Sequence, residues 1–177
     1  MSKYNTIIGI DIGMNGAICF MGTSLIGSKD VISGPILTTI PMPVVGNRVD
    51  WDEMYSLFNG YEGFRGLVVF EKLGILFGVS KSVQDSLGRQ NEGMIVMCKM
   101  LAIPYREVPP KEWQAEMFKG ISLIKKANGK KDTKAMALQK IRQIHPKLKL
   151  TFGERATKPH DGLIDAVLIA EYAERFL

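Results

Sequence analysis

Acidic residues stand at unusual places in this chain and are its clearest candidates for chemistry. Asp161 and Asp165 lie four residues apart at the start of a C-terminal segment that is otherwise almost wholly apolar. Helical spacing puts both carboxylates on one face. Asp11 and Glu71 each stand at the end of an apolar, strand-like run. Because a carboxylate in apolar surroundings is costly unless a cation pairs with it, these four acids predict a cation site.

The side-chain types favour a hard divalent cation. Carboxylate oxygens suit Mg²⁺ or Mn²⁺ and do not suit zinc. Two such ions could activate a water molecule and stabilise the leaving oxygen in phosphodiester hydrolysis. Two simpler explanations stay open: Asp161 could be only a helix N-cap, and Glu71 could pair with Lys72 or with an arginine in a loop.

The charge distribution favours a polyanionic partner. The chain has a net charge of +5, and residues 111–158 hold 13 of its 23 Lys and Arg but only 4 of its 18 Asp and Glu, a local net charge of +9. This asymmetry, beside an acidic cluster that suits a metal, predicts nucleic acid binding rather than a merely solvated face. The lysines expected to contact phosphates are Lys125, Lys126, Lys130, Lys131 and Lys134.

Length and composition set the broad class. A chain of 177 residues predicts one domain over 1–177 with a substantial core. Cys19 and Cys98 lie in apolar runs, so we expect reduced core residues rather than a disulfide framework. We see no signal-peptide pattern, and no uncharged apolar run approaches the roughly 18 residues that cross a bilayer. We therefore expect a cytoplasmic protein with no membrane partner.

Apolar periodicity predicts the elements that position the acids. A turn at residues 13–16 joins two strand-like runs, which predicts a leading β-hairpin. The continuous apolar run 66–70 predicts a strand buried on both faces. These features predict an α/β fold, a mixed sheet with helices on both faces, in which neighbouring central strands bring Asp11 beside Glu71. The predicted strands are 6–12, 17–21, part of 36–42, 66–70 and 105–108, and the predicted helices are 53–59, 86–102, 110–117, about 133–145 and 161–176.

One predicted helix, 86–102, carries more apolar surface than a single sheet contact needs. The side chains expected on its apolar face are Met94, Met97, Met100 and Leu101. Part of this face could therefore contact a second subunit, and a buried core helix is the alternative.

Five motifs in order resemble RuvC-type Holliday junction resolvases, most closely the bacteriophage branch. They are Ile8-Gly9-Ile10-Asp11-Ile12-Gly13, Val68-Val69-Phe70-Glu71-Lys72, Val108-Pro109-Pro110-Lys111-Glu112-Trp113, Lys131-Asp132-Thr133-Lys134 and His160-Asp161-Gly162-Leu163-Ile164-Asp165-Ala166. The resemblance implies a ribonuclease H-like fold, a homodimer, and a Mg²⁺-dependent endodeoxyribonuclease that makes paired nicks in a four-way DNA junction. It also implies a location in the cytoplasm of a host bacterium if the protein is phage-encoded.

Carried over by position, Asp11, Glu71 and Asp165 match the family's first, second and last metal carboxylates. Bacterial members place the remaining one three residues before the last, where this chain has Gly162. Asp161 is the natural substitute, because a spacing of four still shares a helix face.

Two other positions depart from the family. Gly74 stands where bacterial members have an aromatic residue that probes the junction centre, and Phe77 is our candidate replacement. Gln114 stands where the family has a lysine, and Lys111 or Lys119 could supply that charge. Lys134 matches a second family lysine.

Other functions are open to the same residues. An actin-like kinase would need a second Asp-x-Gly strand-turn motif and about twice this length, and the chain has neither. A ribonuclease H acting on RNA–DNA hybrids usually carries its second acid on a helix. A protein that binds branched DNA without cutting it also agrees with the sequence, although the intact carboxylates favour an enzyme.

Overall fold

The computed structural model describes residues 4–22, 36–59, 66–74, 78, 80–153 and 155–177. Its strands are β1 (Thr6–Asp11), β2 (Ala17–Gly22), β3 (Ile36–Pro41), β4 (Val44–Val45), β5 (Arg48–Val49), β6 (Gly66–Glu71) and β7 (Tyr105–Val108). Its helices are α1 (Trp51–Asn59), α2 (Lys81–Met100), α3 (Pro110–Met117), α4 (Thr133–Ile144) and α5 (Asp161–Phe176).

Five strands form one mixed sheet in the order β3-β2-β1-β6-β7. The β1–β2 and β2–β3 pairs are antiparallel, and the β1–β6 and β6–β7 pairs are parallel. The predicted hairpin and mixed sheet are therefore confirmed. Ile10 pairs with Phe70 across the central strands. Asp11 and Glu71, one residue further along each strand, consequently leave the sheet side by side.

Helices cover both faces of the sheet, as predicted. Ile7, Leu67 and Val69 pack in a core cluster with residues of α3, α4 and α5, whereas Ile8 and Val68 pack in a second cluster with residues of α1 and α2. Because side chains alternate between the faces of a strand, Asp11 follows Ile7 onto the α5 face, and Glu71 follows Val69 there.

Helix α5 lies almost directly on the backbone of β1. A Cβ atom added at Gly9 would stand 2.3 Å from the carbonyl oxygen of Ala166 and 2.6 Å from the amide nitrogen of Ala170. Only glycine on the strand and small residues on the helix permit this approach. It places the first turns of α5, with Asp161 and Asp165, over the end of β1.

Two local features differ from the sequence prediction. Helix α2 begins at Lys81 rather than 86, because the Ser80 hydroxyl caps it by accepting a hydrogen bond of 3.3 Å from the amide of Val83. The β4–β5 hairpin was not predicted, since two-residue strands have too little pattern to detect.

The predicted subunit face on α2 is partly wrong. Met94 is fully buried and Met97 is 7% exposed, and both pack in the core of their own chain. Leu101 is partly buried against the same cluster, whereas Met100 is 78% exposed. The reason is geometric: the apolar stripe of α2 covers its sheet face, so the free apolar surface lies to one side of that stripe.

Both cysteines are buried and unpaired, as predicted. In the part of the chain that the structure describes, no helix is both long enough and apolar enough to cross a lipid bilayer.

Candidate functional site

Four acidic side chains meet where parallel strands β1 and β6 end and α5 begins. Asp11 ends β1 and Glu71 ends β6, while Asp161 and Asp165 occupy the first two turns of α5. The charges of Glu71, Asp161 and Asp165 all act on Asp11. The structure therefore brings together the four acids that the sequence singled out.

The acids are held in a state that disfavours their negative charge. Burial, then the charges of Asp165 and Glu71, raises the pKa of Asp11 to about 8. Burial, then the charges of Glu71 and Asp161, raises the pKa of Asp165 to about 7. Both shifts describe a surplus of negative charge in a low-dielectric environment, which a bound cation would relieve.

Glu71 has a partner that sequence reasoning missed. The indole Nε1 of Trp113 donates a hydrogen bond of 3.0 Å to Glu71 Oε1, and Trp113 is only 1% exposed. Burial raises the pKa of Glu71, and this hydrogen bond opposes that rise. The indole thus orients one carboxylate oxygen and stabilises its charged form. Pairing with Lys72, the alternative raised from the sequence, is not the contact seen.

Asp161 is not a helix cap. The Nδ1 atom of His160 accepts the hydrogen bond from the Leu163 amide and caps α5. Asp161 instead accepts a bond of 2.5 Å from the ammonium group of Lys134. That contact, and the attraction of the same carboxylate, raises the pKa of Lys134. Lys134 thereby places a cation at the edge of the acidic cluster.

The structure explains why Gly162 replaces a carboxylate in this chain. A Cβ atom at this position would lie 2.5 Å from the carbonyl oxygen of Asn15 and 2.8 Å from Oδ2 of Asp11. The turn between β1 and β2 therefore excludes any side chain at 162. Asp161, one residue earlier, occupies the open side of the same helical turn.

The donor set fits Mg²⁺ or Mn²⁺ by chemistry rather than by a preformed cage. Within the described residues, no three His, Cys, Asp or Glu side chains stand close enough together to enclose a metal ion as they are placed. Asp161 is bound by Lys134, and Glu71 by Trp113. The hard oxygen donors, the raised pKa values of Asp11 and Asp165, and the space kept by Gly162 nevertheless all suit a divalent cation.

A basic hairpin adjoins the site. It spans residues 125–131, with a β-bridge between Lys125 and Lys131 and a hydrogen bond of 2.8 Å from the Lys126 amide to the carbonyl oxygen of Lys130. Asp132 then caps α4 through the Ala135 amide. This connection carries the chain straight to Lys134, so the hairpin lysines and the acidic cluster belong to one continuous surface.

The remaining predicted lysines are less uniform. Lys111 is exposed in the first turn of α3, next to Pro110, which lines a cavity of about 150 Å³ beside Asp11 and Glu71. Lys119 forms an ion pair of 2.5 Å with Glu116, so its charge is partly engaged. Phe77, the candidate contact with the junction centre, lies outside the described residues.

Comparison with solved structures identifies the fold. The yeast mitochondrial Holliday junction resolvase Ydc2 matches with a TM-score of 0.58 at 14% identity, over 98% of this chain and 78% of that chain. Thermus thermophilus RuvC matches with a TM-score of 0.52 at 13% identity, over 94% and 92%. The same protein in complex with a Holliday junction substrate gives 0.50 at 13%, over 94% and 90%. No protein-family model and no curated protein sequence matches. The chain therefore has a RuvC-like, ribonuclease H-like fold.

Proposed function

We propose that this RuvC-like chain is a structure-selective endonuclease that resolves four-way DNA junctions by paired, metal-dependent phosphodiester hydrolysis. One observation carries the proposal: Asp11, Glu71, Asp161 and Asp165 converge at the ends of β1 and β6, on a fold shared with proteins described as Holliday junction resolvases. The likeness to the bacteriophage branch of these enzymes belongs to the same proposal and rests on the sequence motifs alone.

Asp11, Glu71, Asp161 and Asp165 would hold two Mg²⁺ ions, or Mn²⁺ in their place. Such ions lower the pKa of bound water and stabilise the leaving oxygen. The chain itself keeps these carboxylates ready: Trp113 orients Glu71, and Gly9 lets α5 bring Asp165 against β1. Lys134 supplies a fixed positive charge beside the reacting phosphate, since Asp161 anchors its ammonium group.

The basic hairpin at 125–131 would bind backbone phosphates of the junction, together with Lys111, Lys119 and Lys134. Phosphate contacts fix the position of the duplex and carry no sequence information. They place the scissile phosphate over the acidic cluster, which by itself would repel DNA. This division of labour agrees with the charge asymmetry of the chain.

Two copies of the chain would act together. A four-way junction has near two-fold symmetry, and an isologous dimer places one acidic cluster on each of two opposed strands. The exposed apolar patch on α1 and α2, formed by Tyr55, Val96 and Met100, is the candidate contact. It replaces the face centred on Met94 and Met97, which the core of the chain occupies.

A cleavage assay tests the proposal. The protein is incubated with a synthetic four-way junction, an RNA–DNA hybrid duplex and linear DNA, with and without Mg²⁺. We expect paired nicks only in the junction and only with the metal. Asp11→Asn, Glu71→Gln and Asp165→Asn should each abolish cutting while junction binding survives or improves, because negative charge near the phosphates is removed.

Three results would overturn the assignment. Cutting of the hybrid alone would favour a ribonuclease H activity. Tight junction binding without cutting by the unmodified protein would indicate a branched-DNA-binding protein. Unchanged nicking rates in any of the three carboxylate variants would remove that residue from the catalytic set.

A further inference from the structure

A second cavity, outside the acidic cluster, lies between β5 and the first half of α2. Its volume is about 340 Å³, near the lower end of the range for small-ligand sites in proteins. We name it the α2 cavity. The residues that concern its chemistry are Arg48, Trp51, Asp85, Ser86, Arg89 and Gln90.

Gln90 leaves a buried polar atom without a partner in this wall. The residue is 7% exposed, and its Nε2 donates a hydrogen bond of 3.0 Å to the Ser86 hydroxyl, while Oε1 has no partner. A flipped amide would satisfy Oε1 through the hydroxyl and orphan the nitrogen instead. Either assignment leaves one amide atom unpaired, which is costly unless a ligand completes it.

Trp51 supplies an aromatic wall beside that amide. A Cβ atom at Gly93 would lie 2.3 Å from Cζ2 of Trp51, so the glycine lets the indole settle against α2. An aromatic wall next to one unsatisfied amide atom suits a flat heterocycle with donors and acceptors on its edge. A nucleobase has both properties.

The charge of the α2 cavity fits one phosphodiester. Arg48 and Arg89 contribute two positive charges, and Asp85 contributes one negative charge through its ion pair of 2.7 Å with Arg89. The net charge of +1 matches a single phosphate within a nucleic acid strand. It does not match the several charges of a nucleoside di- or triphosphate.

The α2 cavity also lies beside the acidic cluster. Ser86 and Gln90 line it, and the next residues, Leu87 and Asn91, line the smaller cavity that holds Asp11 and Glu71. Consecutive helical residues occupy neighbouring faces, so the two cavities are separated by about one helix diameter, on the order of 10–12 Å.

We infer that the α2 cavity binds a single unpaired nucleotide of the DNA strand, with its base against Trp51 and Gln90 and its phosphate at Arg48. Near a branch point, pairing is weakest and extrusion of a base costs least. The identity of the strand as part of a branched substrate rests on the proposed function. Occupancy of the cavity by a nucleotide does not.

Binding of short single-stranded DNA tests the inference. The probe is a fluorescein-labelled pentathymidylate, measured by anisotropy without divalent cations, so that no cutting occurs. We expect Arg48→Ala and Gln90→Leu to weaken binding about tenfold, the effect of removing a hydrogen bond to a charged or buried group. Lys99→Ala, on the same helix but outside the cavity, is the matched control and should bind like the unmodified protein.

Folding does not confound these variants. Arg48 is exposed on a two-strand hairpin, and Gln90→Leu removes a buried unpaired atom, so thermal melting should be unchanged or slightly improved. A second measurement uses 4-thiothymidine at the centre of the probe. Photo-crosslinks should map to residues 47–51 or 85–90 by mass spectrometry.

Equal affinity of all three variants, or crosslinks confined to other segments, would overturn the inference. Competition by free thymidine monophosphate as strong as by the strand would replace the strand by a free nucleotide. A protein that shows the expected pattern of variants yet never cuts junctions would refute the nuclease and keep the nucleotide site. A protein that cuts junctions while the variants bind normally would do the reverse.

Discussion

At the scale of single residues, the site is organised by what surrounds each carboxylate. Burial and crowding raise the pKa of Asp11 and Asp165, whereas the indole of Trp113 supports the charged form of Glu71. Lys134 holds Asp161 from the side of the basic hairpin. The cluster is therefore poised for a cation and unfavourable without one.

This arrangement predicts a pH-dependent stability of the metal-free protein. The pKa of Asp11 is about 8 and that of Asp165 about 7 in the folded chain, both above their ordinary value. Between about pH 4 and 8 the folded state thus binds more protons than the unfolded state, and its free energy of unfolding falls as the pH rises. Asp11→Asn removes one of these charges. Its melting temperature should therefore exceed that of the unmodified protein by a margin that grows from pH 5.5 to 8.5.

Thermal melts in EDTA measure the margin, at about 2–4 °C for each kcal/mol in a chain of this size. Glu53→Gln, at an exposed acid of α1, is the control and should show no such growth. A margin that is constant or shrinks with pH would show that Asp11 is not destabilised by its neighbours.

At the scale of elements, one helix and one strand carry most of the geometry. Helix α5 delivers Asp161 and Asp165, and β1 delivers Asp11, so the packing of α5 on β1 decides whether the acids meet. That packing passes over the bare backbone of Gly9. The basic hairpin adds the complementary charge and is joined to α4 through the Asp132 cap.

Gly9→Ala should separate the acids without touching any of them. The added methyl group would stand 2.3 Å from the Ala166 carbonyl oxygen, so α5 must move outward. Overpacking of this kind costs about 1–3 kcal/mol, and junction cutting should fall sharply. Gly88→Ala on α2, where nothing lies within 4 Å of the added atom, is the control and should keep both stability and activity. Equal behaviour of the two variants in melting and cleavage assays would contradict the role of this packing.

The basic hairpin should set the salt dependence of DNA binding. Lys131 also lies 5.1 Å from the ring centroid of Phe118, so its substitution would disturb packing as well as charge. Lys126→Gln with Lys130→Gln is the cleaner change. For every phosphate that the variant no longer neutralises, the slope of log K against log salt should become shallower by roughly 0.9.

Filter-binding titrations at several salt concentrations measure that slope. Lys147→Gln with Lys149→Gln provides the control, because the loop that carries them is tied by His145 to Glu171, near the opposite end of α5. An unchanged slope in the hairpin variant would show that its lysines only face solvent.

At the scale of the whole molecule, the central question is how one site per chain makes two nicks. The exposed apolar side chains Tyr55, Val96 and Met100 are 47%, 44% and 78% exposed and share one side of α1 and α2. An apolar patch of this kind is typical of an interface, and a two-fold axis there would repeat the acidic cluster on the opposed strand.

Met100→Glu should therefore produce monomers that nick junctions one strand at a time. The residue is exposed, so the change should leave the fold intact. Leu123→Glu, at another exposed apolar residue, is the control and should remain dimeric. Sedimentation at micromolar concentration reads the assembly state. An unmodified protein that sediments as a monomer and still makes paired nicks would refute the dimer.

Most of the elements and the four acidic candidates could be predicted from the sequence. Strand and helix periodicity are local, so a chain read in one direction displays them: the leading hairpin, the buried run 66–70 and the cap at Asp132 all appear as predicted. The same alternation placed Asp11 and Glu71 at strand ends. Their meeting followed once β1 and β6 were taken as neighbours.

Which distant groups touch one another could be learned only from the folded chain. Trp113 reaches Glu71 across 42 positions, and the turn beside Asn15 closes position 162 to side chains. The burial of Met94 and the unpaired amide of Gln90 likewise depend on what packs against α2. Sequence periodicity shows that a helix has an apolar face, but which part of that face the core covers depends on contacts between segments far apart in the chain.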